Sequence, residues 1–274
     1  MHRKTSILSL GVAVAGLFLG GASHAACSRP IVVPSAPTGY SIIVKDGNVS
    51  GVYPELLHEL GRKFGCRFEF PVVPRARLEK MFFNDGTADL LIPATRTPER
   101  DQQAQFFSLI GVTPGMMSLQ GRATNINSVE ELAKAKTLRG AMVRSFNYGA
   151  EYQGLLRTLD EEKRVDIVPD LVNVTAMVAR GRVDFTIMAP TLFYSTAAED
   201  PDFAGMLGRI QYRPLAGIDK VESGVYLSRK SLTDNDLQEL RKIFDESVRG
   251  GLLWKKFQAY YPAEILRGVV PLRP

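Results

Sequence analysis

Val52, Leu56, Leu60 and Phe64 recur every four positions, so residues 52–64 are expected to form a helix with that face inward. Pro54 suits the first turn, where its missing N–H costs nothing, Glu55 complements the positive helix end, and Gly65 supplies a stop. Strands are expected over 31–33 and 67–73. A helix over 76–83 follows, with Leu78, Met81 and Phe82 inward and Asn84-Asp85-Gly86 at its end, and then a buried strand over 88–92. Strand, helix, strand, helix, strand implies a parallel, doubly wound arrangement. From Ser128 the pattern restarts. Ser128 and Glu131 make a capping box. Strands over 138–143, 165–168 and 183–188 then alternate with helices over 148–159 and 171–180. The tail returns to the first style, with a strand over 224–227 and an amphipathic helix over 234–249 carrying Leu237, Leu240, Ile243, Phe244 and Val248. A last helix over 252–261 holds Trp254, read as a packing residue rather than a ligand platform.

One phrase in this pattern occurs twice. Gly86-Thr-Ala-Asp89-Leu-Leu-Ile-Pro-Ala94 is echoed by Gly181-Arg-Val-Asp184-Phe-Thr-Ile-Met-Ala189. Each copy reads as helix end, glycine stop, buried strand and loop, which suggests two lobes of like topology. Two lobes imply a cleft, and clefts between domains are where small ligands bind. The copies then diverge, into Thr95-Arg96-Thr97-Pro98-Glu99-Arg100 and into Pro190-Thr191-Leu192-Phe193-Tyr194, so the two walls should differ in chemistry.

Composition changes this picture little: 45% hydrophobic and 23% charged residues in 274 are ordinary for a globular chain. The N-terminus changes it more. His2-Arg3-Lys4, an apolar stretch over 7–19 and Ala22-Ser23-His24-Ala25 read as a cleavable signal peptide over 1–25. The apolar stretch is too short for a bilayer span of about 20 residues. The expectation is therefore an exported, periplasmic and soluble protein. Arg3 and Lys4 leave with the leader, so the net charge of +5 falls and the mature chain is mildly basic. That suits an anionic small ligand. No Lys/Arg run is interleaved with aromatics, which argues against nucleic acid. Cys27 and Cys66, the only cysteines, each lie beside an expected strand; if those strands are neighbours the sulfurs can meet. Export permits a disulfide. Lipidation at Cys27 is the weaker alternative, because His24 stands where a lipoprotein leader usually has leucine.

The candidate chemistry sits after the first copy of the phrase. Thr97 can cap a helix that starts at Pro98, and Arg100 carries a planar, permanently charged fork suited to a carboxylate. With the Thr95 hydroxyl these make a candidate carboxylate clamp; the competing reading is that Thr97 only caps and Arg100 is solvated. Arg75 and Arg77, at an earlier helix start, either add positive charge to the cleft edge or are solvated first-turn residues. His58 is the only histidine after the leader, which argues against a Ser-His-Asp triad or a histidine metal cluster. No glycine-rich phosphate loop occurs, so no cofactor or metal is implied.

The run from Ala88-Asp89 through Thr95-Arg96-Thr97-Pro98-Glu99-Arg100 resembles the signature of bacterial extracellular solute-binding proteins of the amino-acid (family 3) type. Gly51-Val52-Tyr53-Pro54-Glu55-Leu56-Leu57 is similar to that family's Gly-aromatic-Asp-x-Glu-Leu-Leu segment, departing at Tyr53 and Pro54, and the Gly250-Gly251 to Tyr260 stretch is similar to its C-terminal helix. The resemblance implies an α/β, two-lobed periplasmic-binding-protein-like fold of type II. The first lobe would span 26–118 and 222–274, the second 119–221, with crossovers near 117–122 and 220–225. It implies a monomer that captures a small carboxylated ligand, amino-acid-like or organic acid, for an ABC-type permease. Thr95 and Arg100 match the carboxylate-binding positions, Pro93 a backbone carbonyl for the ligand ammonium, and Tyr40 an aromatic that packs on the ligand. Ser145 and Asn147 match the second lobe's hydroxyl loop, in which Phe146 replaces a hydroxyl. The main departure is Ala189, where amino-acid binders commonly carry an aspartate for the ammonium. Burying an ammonium without a counter-charge is costly, so the pattern favours a carboxylate without one. Periplasmic dehydratases acting on prephenate-like acids are similar to this fold and form the enzymatic alternative. An accessory protein that binds a periplasmic protein is a third.

Overall fold

The computed structural model describes residues 26–144 and 146–271; the leader expected over 1–25 and Ser145 lie outside the described residues. The chain starts with β1 (Ile31–Val32), the hairpin β2 (Ile43–Lys45) and β3 (Asn48–Ser50), and α1 (Val52–Phe64). α1 keeps the bounds its periodicity predicts: Val52, Leu56, Leu57 and Leu60 are buried, and Gly65 closes it in the left-handed region at φ 72°. β4 (Phe68–Glu69) follows and pairs parallel with β1. The Cys27–Cys66 disulfide lies at the head of this pair, with Cα atoms 5.1 Å apart. β4 is shorter than the strand expected over 67–73 because Pro71 and Pro74 cannot donate to a ladder. α2 (Arg75–Glu79) runs on into a π-helical turn, Lys80–Asp85, and stops at Gly86.

β5 (Leu90–Thr95), α3 (Pro98–Asp101) and β6 (Ala104–Val112) complete the outgoing chain. The second lobe holds β7 (Gly115–Leu119), α4 (Val129–Lys134), β8 (Gly140–Val143), α5 (Ala150–Glu161), β9 (Val165–Val168), α6 (Leu171–Ala179), β10 (Thr186–Met188), α7 (Pro190–Glu199), α8 (Pro201–Ala204) and β11 (Ile210–Pro214). The chain returns through β12 (Val221–Ser228), α9 (Asp234–Arg249), α10 (Leu252–Tyr260) and β13 (Val269–Pro271).

Among the described residues, parallel strand pairing is confined to two short sheets. β1 pairs with β4 and β8 with β9 in parallel, but the order β13-β6-β12-β5 is antiparallel throughout, as is β10-β7-β11. The cause is the double passage of the chain. β6 and β7 lead out of the first lobe, β11 and β12 lead back, and outgoing and returning strands must pair head to tail. The passage points also differ from those expected. Met117 already pairs with Thr186 and Tyr212, and Val221 already pairs with Val112. The outgoing change of sheet therefore falls at Thr113-Pro114, ahead of 117–122, and the returning one between Pro214 and Val221, ahead of 220–225. Pro114 interrupts the ladder inside an apolar run that reads as continuous in sequence.

The repeated phrase builds the same joint in both lobes. Gly86 and Gly181 both take left-handed φ, 63° and 65°. Asp89 accepts the Val32 N–H at 2.8 Å and two bonds from the Arg29 guanidinium at 2.7 and 2.8 Å. Asp184 accepts the Arg139 N–H at 3.0 Å and one bond from Arg122 at 2.8 Å. Each aspartate thus ties the start of its strand to a neighbouring segment, at β1 and just ahead of β8, and holds an arginine. Three apolar clusters result, and Leu192 and Val221 pack against the two largest. Among the described residues no helix is long and apolar enough to cross a membrane.

Candidate functional site

The ends of β5 and β10 face a cavity between the lobes. Thr38, Arg75, Glu79, Pro93, Thr95 and Arg100 line it from the first lobe, and Phe146, Asn147, Tyr148, Ala189 and Thr191 from the second. The lobes meet on both sides of it. On one side the Arg75 guanidinium lies over the Phe146 ring, 4.5 Å from its centroid. On the other, Tyr40 packs on Tyr194 and Tyr261, with centroids 6.5 and 5.5 Å away.

Sequence explains how the first wall is delivered. β5 ends at Thr95, and Thr97 caps α3 by accepting the Arg100 N–H at 3.4 Å, with Pro98 at the first helical position. Thr97 is buried and does not line the cavity; it acts as a cap, and its own N–H donates to the Tyr226 hydroxyl at 3.0 Å. α3 has only four residues, so charge at this wall comes from side chains rather than from a helix dipole. Arg100 reaches the cavity with 15% of its side chain exposed. Its Nη1 donates to the Thr95 carbonyl at 2.8 Å and its Nη2 pairs with Glu79.

Of the two arginines at the start of α2, Arg77 points away: it is half-exposed, lies 3.6 Å from Asp85 and does not line the cavity. Arg75 points in. Its Nη1 donates to the Thr38 hydroxyl at 3.3 Å. Burial pushes its pKa down and the nearby Arg100 charge adds to that, while Tyr148 and Glu79 oppose it. Pro93, Thr95 and Asn147 line the cavity, and the Asn147 Oδ1 accepts the Gly149 N–H at 2.9 Å, fixing the loop ahead of α5. Tyr40 does not line the cavity and contributes to the contact between lobes. Ala189 does line it, so β10 ends without an acid. Burial raises the pKa of Tyr148, on which the Ala189 backbone and the Arg75 charge act in the opposite sense.

Glu79, Phe146 and Tyr148 were not among the expected site residues. Glu79 carried a local signal, since it stands one turn after Arg75 on the same helical face. The placement of Phe146 and Tyr148 on the opposite wall has no local signal. Among the described residues no cluster of three or more His, Cys, Asp or Glu could hold a metal. Two guanidinium groups, several hydroxyls and an apolar floor make a lining whose chemistry suits a small anion.

The family profile of bacterial extracellular solute-binding proteins, family 3, matches residues 31–250. No curated protein matches the chain at a significant level. Among solved structures, a histidine kinase sensor domain with similarity to periplasmic binding proteins superposes with a TM-score of 0.68 at 16% identity, over 89% of this chain and 98% of its own. An amino acid ABC transporter substrate-binding protein from Streptococcus pneumoniae, bound to L-arginine, gives 0.65 at 16% identity over 84% of this chain and 94% of its own. An ancestral amino-acid-binding protein, a precursor of cyclohexadienyl dehydratase, gives 0.65 at 15% identity over 85% and 95%. At such identities the likeness establishes the fold, a two-lobed periplasmic-binding-protein-like architecture of type II.

Proposed function

The chain belongs to the bacterial extracellular solute-binding proteins, family 3, and on that premise we propose that it captures a small carboxylated solute between its lobes, in the periplasm, as a monomer serving an ABC-type permease. The observation that carries this reading is the convergence of Arg75 and Arg100 on one cavity between the lobes. Guanidinium groups bind carboxylates through charge-assisted, directional bonds. Thr95 and Asn147 line the same space and supply further polar contacts from opposite lobes.

The mechanism is hinge closure. The two strand passages, β6 to β7 and β11 to β12, are the segments that connect the lobes, and a small rotation about them opens or closes the cavity. The first lobe holds the anion; the second closes over it through Phe146, Asn147 and Tyr148. Closure then presents one continuous surface to the permease.

Calorimetry on the purified protein tests this. Saturable binding of a carboxylated solute, weakened about tenfold or more in Arg100→Ala, supports the reading. Binding that is indifferent to Arg100 and unaffected by neutralising the ligand's carboxylate contradicts it.

A further inference from the structure

Resting on the reading of this cavity as a solute site, we infer that Arg75 is the principal seat of the ligand's anionic head, and that the ligand is a monocarboxylate with an apolar body and no ammonium group. Arg100 is already satisfied within its own lobe, by the Thr95 carbonyl at 2.8 Å and by Glu79. Arg75 is not. Among the described residues its one hydrogen bond is the 3.3 Å contact to Thr38, and its buried Nε has no partner.

Arg164, which is buried where Arg75 is half-buried, shows what satisfaction looks like. Arg164 donates to the carbonyls of Leu132, Ala133, Ala135 and Leu138 and to Glu162, at 2.7 to 3.2 Å. A buried cation without such partners is destabilising unless something else supplies them. Arg75 lies in the cavity and against the Phe146 ring of the opposite lobe, where a ligand can supply them.

The charges of the wall define the ligand further. Arg75 and Arg100 face the cavity with Glu79 as their one acidic neighbour there, which leaves one positive charge in excess. One carboxylate cancels it. A zwitterion would bring an ammonium into a wall that remains net positive, and Ala189 offers it no acid. A dianion would overshoot unless Glu79 left its arginine. Leu78, Leu91, Ile110, Val112, Leu192 and Val221 supply an apolar stretch of the lining, beside a few hydroxyls, which suits an alkyl or aryl body.

A matched set of compounds tests the inference: 3-phenylpropanoate, phenylpyruvate and 4-methylpentanoate against phenylalanine, leucine, 3-phenylpropanamide and succinate. Binding is read by calorimetry and thermal shift on the full mature chain. At least one monocarboxylate should bind about tenfold or more tightly than its amino acid and its amide. Arg75→Gln should weaken that acid about ten- to hundredfold and leave the amide unchanged, with Arg100→Gln weakening it less. Ligand-free Arg75→Gln should melt no lower than the wild type, because it removes a half-buried charge whose Nε is unpaired among the described residues.

An amino acid or succinate binding as tightly as the matched acid overturns the inference. So does acid affinity that survives Arg75→Gln, and so does a ligand-free Arg75→Gln variant that melts several degrees lower, which would make Arg75 a structural residue. If nothing in the set binds and the purified protein carries no small molecule, the solute-site reading fails as well, and that result is distinct from a site that binds but prefers amino acids.

Discussion

Alanine at position 39 should hold the lobes apart. Gly39 has φ +53°, and a Cβ placed there would lie 1.9 Å from the Ser195 Oγ and 2.9 Å from its Cβ. Real Cβ atoms essentially never come within 3.0 Å of another heavy atom, so Ser195 would have to retreat by about 1 Å. It has no room to do so alone: it is fully buried, and its hydroxyl donates to the Thr191 carbonyl at 2.8 Å inside α7. The substitution carries two penalties. Left-handed backbone at alanine costs roughly 1–2 kcal/mol whether the lobes are together or apart. Overpacking against Ser195 costs roughly 1–3 kcal/mol and acts only when the lobes are together. The second penalty alone shifts the closing equilibrium, by roughly 5- to 150-fold, and solute affinity should fall by the same factor. Calorimetry reads the affinity, and small-angle scattering of solute-saturated protein reads the separation. Adding Ser195→Gly removes both clashing atoms, so the double variant should regain affinity while keeping the lower melting temperature from backbone strain. Unchanged affinity in Gly39→Ala, or a double variant as weak as the single one, would refute the assignment of this contact to the closed arrangement.

Other consequences follow from the joints. Asp89→Asn should lower unfolding free energy by about 2 kcal/mol at neutral pH, allowing for screening at Arg29, whose side chain is 40% exposed. Burial raises the Asp89 pKa, but the bonds from Arg29, Ser231 and Val32 outweigh it and hold the carboxyl below its usual range. Its contribution is therefore complete above about pH 4 and lost as pH falls through the depressed value, so denaturant curves of wild type and variant should converge only in acid. Replacing both Cys27 and Cys66 by serine opens a loop with a sequence separation of 39, and the chain-entropy relation gives about 4 kcal/mol of lost stability, to be read from urea midpoints. Incubation with prephenate or arogenate should leave both unconsumed; turnover abolished by Arg100→Ala would move the chain to the dehydratase reading.

What could be read from the sequence was what is locally encoded. α1 and α9 keep their expected bounds because the period and the glycine stop are local to each segment, with a Thr233 cap added in α9. The two aspartates of the repeated phrase were legible as a pattern, and their role as strand joints follows from the partners that the fold brings to them. α7 was not legible. Wedged between the lobes, it buries Thr191, Ser195 and Thr196 along with Phe193, so it has no polar face to give it a period. At the site, Thr95 and Arg100 were placed by a continuous motif. The choice between Arg75 and Arg77 was not, because the direction in which a five-residue helix points its arginines is set by what it packs on. The ion pair of Arg100 with Glu79 spans 21 positions, and no local signal marks it.

Native mass spectrometry of the mature protein, purified without denaturation or added solute, tests the central claim most directly. The account predicts one small molecule per chain, released as a carboxylate detected in negative-ion mode, and lost when Arg75 and Arg100 are both replaced by glutamine. A bound cation, or an adduct that persists in the double variant, would contradict it.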